Sequence, residues 1–265
     1  MRYLVFGEVH GNVLALDAVM AAGREREAEA FLFTGDLVGY GPDPLACIER
    51  LAALKSSGAL AWVTGNHDRA VCEEVDLSGC SEEAARTLKW TRRLLMQHPD
   101  SRQFLESSEE TLQVNDRIFL THDSLADPGH APTVHDPLKA RGELACLRFK
   151  GGRVGFYGQT HVMHAEVARA NGEVLLPLDV PHCSEGCDPH PVRLGPNEIA
   201  WIGVGSVGLP ENERRLPEFL ILDDVTWRIE KYAAEYDRPA AQARVREVLA
   251  PACGDAIAER IARWL

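Results

Sequence analysis

Short apolar runs alternate with segments of helical spacing along the first third of the chain. Strands are predicted near residues 2–7, 30–34 and 60–64, and helices near 13–27 and 44–56. Because strands separated by helices form βαβ units, this order predicts a parallel sheet with right-handed crossovers.

The remaining two thirds of the chain follow a different pattern. Residues 81–106 place apolar side chains such as Leu88 and Leu105 between charged ones, which predicts a helical excursion over about 70–108. The tail 239–265 has helical spacing with a break near Pro251 and Gly254. Between them, eight short runs separated by turns predict mostly antiparallel strands: 111–114, 117–121, 154–157, 166–170, 173–176, 200–204, 219–223 and 226–231.

These elements predict a mixed α/β (α+β) fold, in which two sheets form a β-sandwich flanked by helices. A chain of 265 residues buries about 70–75% of its unfolded surface, so it can form one sizeable core without cross-links. We expect a single domain over 1–265 with an inserted loop at about 177–198.

Charge and composition narrow the class of protein. A net charge of −12 opposes charge-driven binding to extended nucleic acid or to an anionic membrane. The N-terminal apolar run has no charged leader, and no segment reaches the length of a bilayer, so we expect a cytoplasmic protein. The seven cysteines are odd in number and scattered, which favours reduced thiols.

Side chains that bind metals recur where predicted strands end. Because the carboxyl ends of parallel strands meet at one edge of a sheet, these side chains should converge. Taken alone, each segment is weak evidence: Glu8-Val9-His10 is typical of a surface pair, and Asn66-His67-Asp68 is typical of a turn. The order of all segments together predicts a site in which two divalent ions lie about 3.5–4 Å apart and act on one phosphorus. The candidate ligands are Glu8, His10, Asp36, Asn66, His122, Gln159 and His161.

With these segments, the chain resembles the calcineurin-like metallophosphoesterase superfamily, specifically its small bacterial phosphodiesterase-like branch. The resemblance extends to the runs 35–44, 205–208 and 235–237. It implies the four-layer metallophosphoesterase fold. It also implies a metal-dependent phosphoesterase of the phosphodiesterase type, which would hydrolyse a small or short phosphorylated, nucleotide-type substrate by attack of metal-bound hydroxide.

The resemblance also implies a role for each candidate residue. The first metal would use Glu8, His10, Asp36 and His161, and the second would use Asp36, Asn66, His122 and Gln159. Asp36 would bridge the ions and act in catalysis with His67, which would lie beside the substrate phosphate with Asn66 and Tyr40. The two sites are expected to bind manganese or iron, with zinc, nickel and magnesium as alternatives.

Two ligand positions depart from the usual family pattern. Glu8 stands where the family has Asp, which lengthens the side chain by one bond of about 1.5 Å. Gln159 stands where the family has His, and a neutral amide suits harder cations better than zinc-like ions. The second site is therefore expected to be weak or empty, and either residue could instead form hydrogen bonds behind the ligands. Leu209-Pro210-Glu211 stands where the branch often has a more polar run that ends in Arg. The contacts to the substrate are therefore expected to differ from those of the branch.

Several alternatives stay open from the sequence alone. A degenerate member that binds metal, nucleotide or protein as a regulatory or scaffold protein is the alternative to an enzyme, and a homo-oligomer is an open alternative to a monomer. The residues His182, Cys183, Cys187 and His190 could form a zinc clip, although a cap or dimer-contact loop is the preferred interpretation. The remaining histidines in this region, His130, His135 and His164, are predicted to be surface residues.

Overall fold

A computed structural model describes residues 1–129, 137–169, 174–175 and 191–265. The strands are β1 (Arg2–Phe6), β2 (Ala30–Phe33), β3 (Leu60–Trp62), β4 (Thr111–Gln113), β5 (Ile118–Thr121), β6 (Val154–Tyr157), β7 (Met163–Ala168), β8 (Val174–Leu175), β9 (Val192–Arg193), β10 (Ile199–Val204), β11 (Glu218–Asp223) and β12 (Arg228–Ala233). The helices are α1 (Val13–Glu25), α2 (Pro44–Ser56), α3 (Asn66–Cys72), α4 (Glu82–Leu95), α5 (Pro99–Glu106), α6 (Pro137–Phe149), α7 (Arg238–Cys253) and α8 (Asp255–Trp264).

The strands form two mixed sheets. The first has the order β3-β2-β1-β11-β12-β9, and the second has the order β4-β5-β6-β10-β7-β8. In the first sheet, β1, β2 and β3 are parallel, as the alternation of strands and helices predicts. The remaining strands of that sheet add to it in antiparallel fashion.

The two faces of β1 show how the layers are arranged. Leu4 and Phe6 pack with residues of α1 and α2 in one buried cluster. Tyr3 and Val5 point the other way and join a cluster with strands of the second sheet, such as Phe156. The far face of the second sheet packs against α6. Helices, sheet, sheet and helix therefore form four layers, which confirms the predicted fold class.

The second sheet contains the main difference from the predicted topology. Strand β6 pairs in parallel with both β5 and β10, so the centre of this sheet is not antiparallel as expected. A parallel pair needs a crossover, and α6 supplies it within the segment 123–150, for which no helix was predicted. The strand predicted at 166–170 also begins earlier, at Met163.

The C-terminal tail forms two helices that pack on one another and on α4. The first runs through Pro251 and ends at Cys253, and the φ of 101° at the following Gly254 lies in the left-handed region that favours glycine. Arg244 of α7 pairs with Asp43, the residue before α2, at 3.0 Å and thereby ties the tail to the loop that follows β2. Within the described part of the chain, no helix is long and apolar enough to cross a membrane.

Candidate metal centre

All of the predicted ligand segments lie at the carboxyl ends of strands and come together at one edge of the sandwich. Glu8 and His10 follow β1, Asp36 follows β2, and Asn66 begins α3 just after β3. The backbone joins these loops directly, because the amides of Val9 and His10 both donate to the carbonyl of Asp36, at 2.9 and 3.0 Å. From the second sheet, the loops after β5 and β6 contribute the remaining candidates, His122, Gln159 and His161.

The backbone at these positions adopts an uncommon conformation. Glu8, His10, Asp36, Gln159 and His161 have φ values of 55°, 49°, 58°, 57° and 56°, all in the left-handed region. Such a conformation costs a non-glycine residue about 1–3 kcal/mol and persists only when the surroundings enforce it. Strain of this kind gathers at functional sites, and here it coincides with the predicted ligand positions.

The first donor set consists of Glu8, His10, Asp36 and His161. The Oε2 atom of Glu8 lies 3.1 Å from Nε2 of His10 and 3.1 Å from Nε2 of His161, and the two Nε2 atoms lie 3.1 Å apart. Donors about 2.1 Å from one ion are themselves about 3.0–3.4 Å apart, so this triangle has the size that a divalent cation requires. Asp36 Oδ2 is 3.7 Å from Nε2 of His10.

The second predicted donor set would consist of Asp36, Asn66, His122 and Gln159. Nε2 of His122 lies 2.9 Å from Oδ1 of Asn66 and 3.6 Å from Oδ1 of Asp36. Asp36 thus presents one oxygen towards each set, as a bridging carboxylate would. The side-chain oxygen of Gln159 is buried and has no hydrogen-bond partner among the described residues. A buried acceptor without a partner is costly, and a cation would satisfy it.

Backbone carbonyls hold the three histidine rings of these sets from behind. Nδ1 of His10 lies 3.3 Å from the carbonyl of Val38, and Nδ1 of His122 lies 2.9 Å from that of Thr34. The ring of His161 is held in the same way, 3.2 Å from the carbonyl of Leu209. When Nδ1 donates a proton to a carbonyl, the lone pair of Nε2 is free to bind a metal.

The charges of the site also fit cations. Glu8 and Asp36 are almost completely buried, at 0% and 2% exposure. Burial, together with the charge of Glu8, raises the pKa of Asp36 well above its usual range. Burial likewise opposes the charge of Glu8, but His122 and His161 hold its pKa well below normal. Two carboxylates this close and this buried need positive charge nearby, which divalent ions would supply.

His67 lies beside both donor sets. Its amide donates to Oδ1 of Asp36 at 2.9 Å, and its ring centroid is 4.9 Å from that of His10 and 4.9 Å from that of Tyr40. Nδ1 of His67 is buried without a partner among the described residues. Burial and the nearby charge of His10 lower the pKa of His67 well below its usual range. The predicted substrate-contact residues His67, Tyr40 and Asn66 therefore lie together.

Two residues that sequence reasoning did not assign hold these loops in place. Asp68 accepts hydrogen bonds from the amides of Leu37, Val38 and Gly65, at 2.9, 3.0 and 3.0 Å. Ser206 is fully buried, and its hydroxyl joins the loop after β10 to the carbonyl of Glu8. Both residues lie inside recognisable motifs, but the motifs do not reveal which backbone groups they hold.

Arg215 is a further candidate for substrate binding near the site. Its guanidinium donates to the carbonyl of Pro210 at 3.1 Å, one residue beyond the carbonyl that holds His161. In the described residues it forms no ion pair, unlike its neighbour Arg214, which pairs with Glu235 at 2.7 Å. The sequence carries no signal for this role, because Arg215 lies outside every motif.

One predicted surface residue is buried. His164 lies on β7 with 7% exposure and approaches the carboxylate of Glu166 at 3.5 Å, so the prediction of a surface histidine is wrong. It points to the side of β7 opposite Ala165, and the strand is covered on both faces. His130, His135 and the predicted zinc clip of residues 182–190 lie outside the described residues.

Comparisons with known proteins agree with this geometry. A family model described as calcineurin-like phosphoesterase matches residues 1–162. A metallophosphoesterase from Sphaerobacter thermophilus superimposes with a TM-score of 0.73 at 27% identity, covering 100% of both chains. A hypothetical protein from Pyrococcus horikoshii has the same TM-score at 17% identity, over 99% of this chain and 96% of its own, which shows a shared fold.

An uncharacterized protein from Methanocaldococcus jannaschii is 26% identical over 244 residues, which cover 91% of this chain and 90% of that protein. The family model spans more than half of the chain and includes the first four ligand segments and both residues that follow β6. The chain therefore belongs to the calcineurin-like phosphoesterase family.

Proposed function

We propose that this protein is a metal-dependent phosphodiesterase that hydrolyses a small or short phosphorylated, nucleotide-type substrate. The observation that carries this proposal is the convergence of the two donor sets on Asp36, with each histidine ring held by a backbone carbonyl. A preorganised centre of this kind binds ions without rearranging its ligands.

Divalent ions, when bound, supply Lewis acidity at the phosphoryl group and lower the pKa of water. The chain itself holds the donors within a buried site and places His67 next to them. In this proposal the imidazole of His67 donates a hydrogen bond to the substrate phosphate and assists the departing oxygen. Tyr40 lines the same side of the site, since its ring lies 5.1 Å from that of His10.

The charge of the site supports binding of a phosphate ester. Glu8 and Asp36 contribute −2, so two divalent ions would leave a net charge of +2. None of the residues in the two donor sets is a lysine or arginine, and Arg215 is the cation that the described structure places at the adjoining loop. A phosphate ester carries one or two negative charges, which this excess attracts. The choice of a diester follows the resemblance to the phosphodiesterase-like branch.

The test is turnover of bis(p-nitrophenyl) phosphate and of p-nitrophenyl phosphate by metal-stripped protein titrated with Mn²⁺. We expect activity that rises with Mn²⁺, favours the diester, and disappears in Asp36→Asn. Asp17→Asn is the matched control, because Asp17 is a surface residue paired with Arg50. Equal activity of the Asp36→Asn and unmodified proteins would refute the two-metal account, and a preference for the monoester would refute the diesterase.

A second candidate function is a binding protein without turnover, and Gln159 is the observation that favours it. If the amide of Gln159 binds the second ion too weakly, the site would hold one ion and lack the charge to bind phosphate. Mn²⁺ bound in the stripped protein without hydrolysis of either ester would support this candidate.

A further inference from the structure

The two carboxylate oxygens of Glu8 have different partners. Oε2 belongs to the first donor set, at 3.1 Å from Nε2 of both His10 and His161. Oε1 instead accepts a hydrogen bond from the backbone amide of Gln159, at 2.5 Å, and lies 3.5 Å from Nδ1 of His122. Glu8 therefore contacts the first donor set with one oxygen, and with the other it contacts the backbone of Gln159 and the ring of His122.

The backbone of Glu8 leaves little room for adjustment. Its carbonyl accepts hydrogen bonds from the amide of Gly208 at 2.7 Å and from the hydroxyl of Ser206 at 3.1 Å. Its own amide donates to the carbonyl of Gly35 at 3.0 Å. An aspartate side chain at this position would be about 1.5 Å shorter. Because the main chain is held on both sides, a shift of the backbone could not bring that shorter side chain closer to its partners.

The partner of Oε1 is equally constrained. Gln159 has a φ of 57°, so its backbone occupies a conformation that needs outside support. Glycine at 158 leaves the space that Oε1 occupies, because a Cβ there would collide with that oxygen. The side-chain oxygen of Gln159, buried and without a partner in the described structure, extends from this same supported backbone.

We propose that Glu8 couples the two metal positions. An ion in the first position fixes the carboxylate of Glu8, and the other oxygen of that carboxylate then holds Gln159 where its side chain can bind the second ion. The long side chain at position 8 and the amide at position 159 thus act as a matched pair. This inference rests on the metal centre of the proposed function, although not on its turnover.

Two substitutions separate this coupling from simple electrostatics. Glu8→Asp keeps the charge but is too short to reach both partners. Glu8→Gln keeps the length and an oxygen that accepts the amide of Gln159, but loses the charge. If charge alone governed binding of the second ion, Glu8→Gln would weaken that binding more than Glu8→Asp. The coupling predicts the reverse order.

The experiment is isothermal titration calorimetry of the metal-stripped full-length protein with Mn²⁺. The weaker of two binding events is assigned to the second position by its loss in Gln159→Ala. We expect Glu8→Asp to weaken that event by about tenfold or more, which is the usual effect of removing a residue behind a metal ligand. Glu8→Gln should weaken it clearly less than Glu8→Asp does.

The control is the same pair of substitutions at Glu230, a buried glutamate on β12 with 5% exposure that lies outside both donor sets. Thermal unfolding of each stripped variant checks that it is folded. An unchanged second event in Glu8→Asp, or a larger loss in Glu8→Gln, would overturn the coupling. Esterase assays on the same samples are independent: binding as expected without hydrolysis would refute the proposed function alone.

Discussion

Removing the hydroxyl of Ser206 should weaken metal binding although Ser206 is not a candidate ligand. Its side chain is completely buried, donates to the carbonyl of Glu8 at 3.1 Å and accepts the amide of Leu209 at 3.0 Å. The carbonyl of Leu209 in turn holds the ring of His161 at 3.2 Å. One hydroxyl therefore supports two residues of the first donor set through the backbone.

The magnitude follows from what Ser206→Ala leaves behind. The carbonyl of Glu8 keeps its bond from Gly208, so that group stays satisfied. The buried amide of Leu209 loses the hydroxyl as its acceptor, and an unpaired buried donor costs about 1–3 kcal/mol. For a chain of this size, each kcal/mol lowers the melting temperature by about 2–4 °C. Loss of support behind a ligand should also weaken the first Mn²⁺ by about 10–100-fold.

The assay combines thermal unfolding of the metal-stripped protein with calorimetric titration of Mn²⁺. Ser57→Ala is the control, because its exposed hydroxyl donates to the carbonyl of Leu54 at the C-terminal end of α2, the end opposite Asp43. A Ser206→Ala protein with normal Mn²⁺ affinity would refute the role assigned to this hydroxyl, even if its melting temperature fell. Lower stability with unchanged binding would mean that Ser206 supports the fold only.

Three further predictions concern other parts of the molecule. Gly158→Ala should abolish tight Mn²⁺ binding in calorimetry, because the new methyl group would collide with Oε1 of Glu8 and displace the carboxylate whose other oxygen belongs to the first donor set. Normal affinity would show that the loop can move. Arg215→Gln should raise KM for the diester more than it lowers kcat, whereas Arg214→Gln, already paired at the surface, should leave both unchanged; equal effects would exclude Arg215 from the substrate. Lys231→Ala should lower the free energy of unfolding in urea by about 3–5 kcal/mol, because it leaves the buried Glu218 without its partner at 3.0 Å; a loss below that of a typical surface substitution would contradict this.

Local pattern was enough to predict most elements of the fold. In the first sheet, β1, β2 and β3 and the helices between them all lie near their predicted positions, because apolar periodicity and turn residues act over a few neighbouring residues. The helix α6 was missed, since the segment 123–150 was predicted as a loop. The parallel pairing of β6 with β5 and β10 was also missed, because pairing depends on strands distant in sequence.

The sequence by itself determined which residues end the strands and hence which side chains meet at the candidate metal centre. Their convergence follows from strand direction, which the alternation of elements encodes. Only the tertiary structure decided how each donor is held: the left-handed backbone at Glu8 and Gln159, the carbonyls behind the histidine rings, and the separate partners of the two Glu8 oxygens. These features arise from contacts between segments up to about 200 residues apart, such as Ser206 and Glu8, and no local pattern records them.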